Sequence, residues 1–211
     1  EIGATECQPC EAGKSAALGA AACDFCTPGK YSLANAVSCT NCQGGEYSSS
    51  GAITCKTCIE GQFSSPNSSG CSTCPSGKYS GTGDETCSEC DPGHASNSGS
   101  AACSQCESGK KTTPSQDACE NCAAGKFSSA GSSECGSSCS AGTYAGLGAD
   151  TCQECAGGTY SAAGAEACTL CVAGTYSGAK AGSCTPCPVG EISGAASTSC
   201  TECDAAQGFV S

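Results

Sequence analysis

The sequence contains no methionine, no tryptophan and no arginine, has a single histidine, and holds only four residues each of leucine, isoleucine, valine and phenylalanine in 211. A charged chain in which these four make up less than roughly 20% is expected to stay disordered, so apolar burial alone cannot fold this one. The hydrophobic fraction of 38% does not change this, because alanine and cysteine dominate it. Without arginine, and with a net charge of -12, the chain is a poor partner for nucleic acid. The acids are scattered singly, as on a solvated face that keeps an extended protein soluble. No apolar run is long enough to span a membrane, and neither an initiating methionine nor a signal-like apolar region opens the chain. The 211 residues are therefore expected to be a mature chain or a segment of one.

What is abundant is cysteine, at 26 of 211 residues, above the roughly 8–10% that marks a disulfide scaffold. The cysteines form thirteen Cys-x-x-Cys doublets spaced sixteen residues apart, from Cys7/Cys10 to Cys200/Cys203. One doublet, Cys135-Gly136-Ser137-Ser138-Cys139, carries an extra residue, and the period resumes at Cys152. So strict a period implies stacked supersecondary units that touch mainly their neighbours. The array is read as two blocks, residues 1–138 and 139–211, in one continuous run with a phase break at 135–139, where a change of twist or bend is expected. Cysteine usage implies an oxidising compartment and an extracellular or cell-surface location.

Within each repeat, glycine lies three residues after the second cysteine of the doublet, from Gly13 to Gly190 in all twelve complete repeats. A glycine fixed at one position implies a tight turn with positive φ. Two residues further on, eight repeats carry an aromatic: Tyr31, Tyr47, Phe63, Tyr79, Phe127, Tyr144, Tyr160 and Tyr176. A serine usually follows it, and after three more residues Gly or Asn marks a second positive-φ turn in nine of the twelve repeats. Strands of three to five residues are expected on either side of that turn. The fold class is thus a small disulfide-rich one: an elongated rod or solenoid of about twelve β-hairpin units, with few or no helices. Two strands per unit at ~4.8 Å each give an advance of roughly 10 Å and a length of about 120 Å. The rings, which so thin a unit cannot bury on all sides, are expected to line a stripe that invites self-association.

The order Cys-x-x-Cys-x-x-Gly-x-Tyr-Ser, as in Cys26-Thr27-Pro28-Gly29-Lys30-Tyr31-Ser32 and Cys74-Pro75-Ser76-Gly77-Lys78-Tyr79-Ser80, resembles the ephrin-receptor-like cysteine-rich repeat. More distantly it is similar to the first module of tumour necrosis factor receptor ectodomains. The likeness covers nearly the whole chain. It implies an extracellular array such as those of receptor ectodomains, matrix-like proteins and large surface proteins.

Connectivity cannot be proved from sequence, but the period restricts it. Interleaved pairing, Cys7 with Cys23 and Cys10 with Cys26, would need a doubled period, and no doubling is seen. Pairing of each second cysteine with the next first one keeps the period. It would join Cys10 to Cys23, Cys26 to Cys39, Cys42 to Cys55, Cys58 to Cys71, Cys74 to Cys87 and Cys90 to Cys103. In the rest it would join Cys106 to Cys119, Cys122 to Cys135, Cys139 to Cys152, Cys155 to Cys168, Cys171 to Cys184 and Cys187 to Cys200. The receptor module that the repeat resembles implies the same closure. Cys7 and Cys203 would then be free or pair outside the segment. Each aromatic would cover the disulfide of its own or the adjacent repeat.

Other chemistry was weighed on the same residues. Two doublets could supply four thiolates to zinc, but the odd number of doublets and the oxidising compartment argue against it. His94 sits at a variable position and is read as solvent-exposed. With no second histidine, no phosphate loop and no calcium-loop spacing, neither catalysis nor a cofactor is expected. Asn67-Ser68-Ser69 is a glycosylation acceptor at a hairpin tip, and the repeated hydroxyls are open to O-linked sugar. The expected function is a non-enzymatic extracellular scaffold, a subunit or stalk of a surface filament or appendage. Its partners would be further copies or other filament components. The alternative is a ligand-binding receptor or surface-antigen ectodomain, with its foothold between Gly93 and Pro114, where Ala95 and Lys111 replace the ring and Lys110 adjoins Lys111.

Overall fold

The computed structural model describes residues 8–203, and Cys7 lies outside that range. Among the described residues there is no helix, and eleven of the repeats each form a two-stranded antiparallel sheet. The repeat that begins at Cys26 illustrates them all. Pro28 and Gly29 make a turn in which the Lys30 N–H donates to the Thr27 carbonyl over 3.1 Å and Gly29 takes φ 83°. Proline favours the entry to such a turn, and only glycine meets the positive φ without a Cβ penalty. The strand Lys30–Tyr31 follows, then a second turn at Asn35 with φ 66°, then Thr40–Asn41. Lys30 faces Asn41 and Tyr31 faces Thr40. The Cys42 N–H closes the repeat on the Gly29 carbonyl at 2.9 Å.

Twelve disulfides, from Cys10–Cys23 to Cys187–Cys200, join the second cysteine of each doublet to the first of the next, always across thirteen residues. Closing a loop of this size stabilises by roughly 3 kcal/mol in the chain-entropy account. Among the described residues, eleven of the thirteen buried apolar ones are cysteines, the others being Ala95 and Ala145, so the core is made of disulfide sulfur. The one free thiol among the described residues belongs to Cys203, which is half-buried.

The strands are shorter than expected. Nearly all are two residues long, and only Lys110–Thr112 and Cys119–Asn121 reach three. The reason is where the next backbone groups go. The Ser48 N–H, which would extend its hairpin, donates instead to the Ser68 carbonyl of the following repeat at 3.2 Å. Neighbouring repeats are also joined by Gly29 N–H to the Ser48 carbonyl at 2.9 Å, Gly51 N–H to the Cys26 carbonyl at 2.8 Å, and a parallel bridge between Tyr31 and Ala52. Successive hairpins are therefore separate sheets linked through the second turn, not rungs of one ladder, and the advance expected from stacking two strands per repeat does not apply. Contact also reaches the next repeat but one: a Cβ on Gly29 would overlap the carbonyl of Asn67, and one on Gly45 that of Gly83.

The chain divides into two compact units. One comprises Glu1–Asp91, Ala95–Ser104 and Ser115–Ala118; the other comprises Pro92–His94, Gln105–Pro114 and Cys119–Ser211. The doublet with the extra residue lies inside the second. There Gly136 N–H donates to the Phe127 carbonyl at 2.7 Å while Ser138, not Ser137, bridges Lys126. Ser137 is thus the extra residue of a β-bulge, which takes up the insertion within one hairpin. The bonds between neighbouring repeats are unchanged across it: Gly125 N–H donates to the Ala145 carbonyl at 2.7 Å and Gly148 N–H to the Cys122 carbonyl at 2.9 Å. The phase break at residues 135–139 is thus a one-residue bulge within a single hairpin.

Both effects at the first glycine can be separated. Gly45 has φ 78° and faces the Gly83 carbonyl, whereas Gly174 has φ 81° and nothing within 4 Å of the added atom. Gly174→Ala should cost about 1–2 kcal/mol, the penalty of a left-handed L-residue. Gly45→Ala should cost roughly 2–5 kcal/mol because overpacking against backbone is added. Native-state hydrogen exchange at the flanking amides measures both losses.

Candidate functional site

The residues that recur at fixed positions sort into those that hold the repeats together and those that face outward. The serine after the ring belongs to the first group. Its hydroxyl donates to the carbonyl of the first strand of the preceding repeat: Ser32 to Lys14 at 2.9 Å, Ser48 to Lys30 at 2.8 Å, Ser64 to Glu46 at 2.9 Å, Ser80 to Gln62 at 3.0 Å. The same bond recurs from Ser161 to Thr143 and from Ser177 to Thr159, each 2.9 Å. These serines are buried, so they are not available to O-linked sugar. Their recurrence directly after the aromatic was the signal in the sequence for this structural role. The Ser80 oxygen also lies 3.2 Å from the Cys74 sulfur, which ties the hydroxyl to the disulfide core.

In seven of the eight repeats that carry one, the aromatic is the last residue of the first strand, and Phe127 holds the equivalent place in an isolated bridge. Tyr31, Tyr47, Phe63, Tyr79, Phe127, Tyr144, Tyr160 and Tyr176 are all half-buried. Each ring position is bounded by its own second strand and by the next repeat. Tyr144 Oη donates to Gln153 Oε1 at 3.0 Å, on the opposing strand. Tyr160, with Thr169 and Leu170 of its opposing strand and Val172, Thr175, Ser183 and Cys184 of the next repeat, lines a groove of about 340 Å³. Ser15, which takes the ring's place in its repeat, brings its Oγ 3.2 Å from the Cys39 sulfur of the following one. The slot therefore points at the adjacent repeat's disulfide. Leu170 and Val172 beside the groove are exposed.

Two repeats in the stretch from Gly93 to Pro114 lack the ring. At Ala95 a hollow of about 260 Å³ opens, lined by Ala95, Ser96, Asn97, Ser100, Ala102, Ser104, Asp117 and Ala118. At Lys111 the ammonium pairs with Glu120 across the hairpin at 3.0 Å. Lys110 pairs with Glu107 at 2.8 Å, so both lysines of this foothold are already countered by carboxylates. The hydrogen bond and charge of Lys110 hold the Glu107 carboxyl below its ordinary pKa.

His94 is half-buried, less exposed than expected, with Nδ1 3.4 Å from the Pro92 carbonyl oxygen. Among the described residues no group of three or more His, Cys, Asp or Glu side chains is placed to hold a metal ion. The cysteine sulfurs of the described residues are in disulfides, apart from that of Cys203. Asn67 is exposed at its second turn, with φ 65°. No helix among the described residues is long and apolar enough to cross a membrane.

This geometry defines a class: a cysteine-rich repeat protein of disulfide-stapled β-hairpins. No family model matches the chain, and no curated protein matches it.

Ser80→Ala removes the hydroxyl and leaves the Gln62 carbonyl without that donor. A loss of about 1 kcal/mol is expected, seen as faster exchange of the Gly61 and Ser80 amides. Lys110→Gln removes the cation beside Glu107, so the carboxyl should titrate higher, moving back toward the ordinary carboxylate range near ~4.3. Carboxyl-detected NMR titration follows that upward move.

Proposed function

We propose that this chain is a non-enzymatic extracellular structural scaffold, a subunit or stalk of a cell-surface filament or appendage, built from ephrin-receptor-like cysteine-rich repeats. The observation that carries the reading is uniformity: within each compact unit the same backbone bonds recur between neighbouring repeats, reinforced by the serine bond wherever a serine follows the ring position. A protein selected for length and durability needs identical joints, whereas a recognition surface concentrates unlike side chains in one place. A core of disulfides in place of large apolar residues suits an oxidising exterior, and the acidic surface favours solubility. Half-buried rings at equivalent positions offer edges for copies of the chain or other filament components, and Asn67 offers an exposed acceptor for an N-linked glycan.

The alternative, a receptor or surface-antigen ectodomain, is favoured by one observation, the hollow where Ala95 interrupts the series. Negative-stain imaging and light scattering of native full-length protein separate the two. The scaffold reading expects end-to-end or laterally associated filaments. Dispersed monomers at every concentration would overturn it in favour of the ectodomain.

A further inference from the structure

We propose that the hollow at Ala95 is a binding site for a phenol ring, and that its occupant is a tyrosine side chain presented by another polypeptide. The proposal is independent of the scaffold reading.

Sister repeats show what belongs in this space. Their rings stand between the opposing strand, at Gln153 beside Tyr144 and Thr169 beside Tyr160, and the residues around the first cysteine of the next repeat, Ser183 and Cys184. The equivalent neighbours of Ala95 are Ser104 and Ala118, and both line the hollow. Three of the features that frame a ring elsewhere are kept here. The Cys90–Cys103 disulfide is formed, Ser96 Oγ donates to the Lys78 carbonyl at 2.9 Å, and Ser96 N–H donates to the Gln116 carbonyl at 3.0 Å. The ring is missing and the second turn of the next repeat is shifted by one residue, to Gln116, yet the space of about 260 Å³ has not closed over the buried Ala95.

The lining selects phenol over plain phenyl. Methyl groups of Ala95, Ala102 and Ala118 suit the faces of a ring, while Asn97, Ser104 and the Asp117 carboxylate give its hydroxyl hydrogen-bond partners, and Ser100 Oγ, which donates to the Asn97 carbonyl at 2.8 Å, can still accept. A polar hollow of this kind holds water when empty, and a phenol returns the hydrogen bonds of the water that it displaces. Tyr144 makes the corresponding bond to its opposing strand within the chain. The slot at Lys111 is closed to such a ligand, because the lysine fills it and pairs with Glu120.

The test is a two-dimensional NMR titration of the oxidised full chain with N-acetyl-tyrosinamide. Saturable shifts confined to residues 95–104 and Ala118 are expected. Ala95→Tyr, which supplies the ring in cis, should weaken binding by about tenfold or more. Tyr79→Ala should open a second saturable site bounded by Ser88 and Ala102. N-acetyl-phenylalaninamide should bind more weakly than its tyrosine counterpart. Binding of the amide at least as tight as that of p-cresol supports a side chain as the occupant, whereas cresol binding with the amide excluded overturns that assignment. No saturable shift with either probe, or unchanged binding in a well-dispersed Ala95→Tyr spectrum, overturns the site itself.

Discussion

Each repeat is closed by a disulfide whose second cysteine is buried in all but the repeat of Cys187, and every other feature is arranged around that fact. A sixteen-residue unit with no large apolar side chain to spare cannot build a core of its own. The cross-link between Cys26 and Cys39, with its Cα atoms 5.7 Å apart, brings the two turns close enough for a two-residue ladder to form between them. The ring position lies beside the neighbouring repeat, where Tyr160 and Cys184 line one groove. Small residues fill the rest because no space remains for larger ones.

Cohesion between repeats rests on backbone groups more than on side chains. A two-residue strand leaves most of its N–H and carbonyl groups outside the ladder, and buried groups of that kind must find partners. They find them in the next repeat: Gly29 N–H on Ser48, Gly51 N–H on Cys26, Ser48 N–H on Ser68. This explains how a chain with exposed Leu18, Leu33 and Val189 holds together without using them. It also explains the tolerance of the array to variation at outward positions. Backbone bonds ask only for small residues and correct turns, so ring positions accept serine, alanine or lysine while the frame persists.

The insertion at residues 135–139 shows how far that tolerance goes. One extra residue in a regular strand would reverse the facing of every side chain beyond it. Placed as Ser137 between Gly136 and Ser138, it becomes a bulge, and the next repeat meets its neighbour through the usual bonds. A repeat whose joints are local absorbs locally what a continuous sheet would propagate.

Period, turn chemistry and disulfide spacing were written in the sequence, because each depends on residues close together in the chain. Glycine at Gly29 and asparagine at Asn35 announce positive φ, and both have it. The second turn is instructive where the composition was silent. Lys180 and Ala196 take φ 59° without being glycine or asparagine, and in the repeat of Cys106 the positive φ moves to Gln116, because the neighbouring repeats hold the chain there regardless of propensity. Three things were decided only by tertiary structure. Strands stop at two residues because the following backbone groups bond to another repeat. Ser32 and its equivalents are buried because their acceptors lie eighteen residues away in the preceding repeat. The hollow at Ala95 exists because a frame set by neighbours stays open when its ring is absent. A single sequence states what a residue prefers locally; which partner completes its hydrogen bonds is settled by what the fold brings beside it.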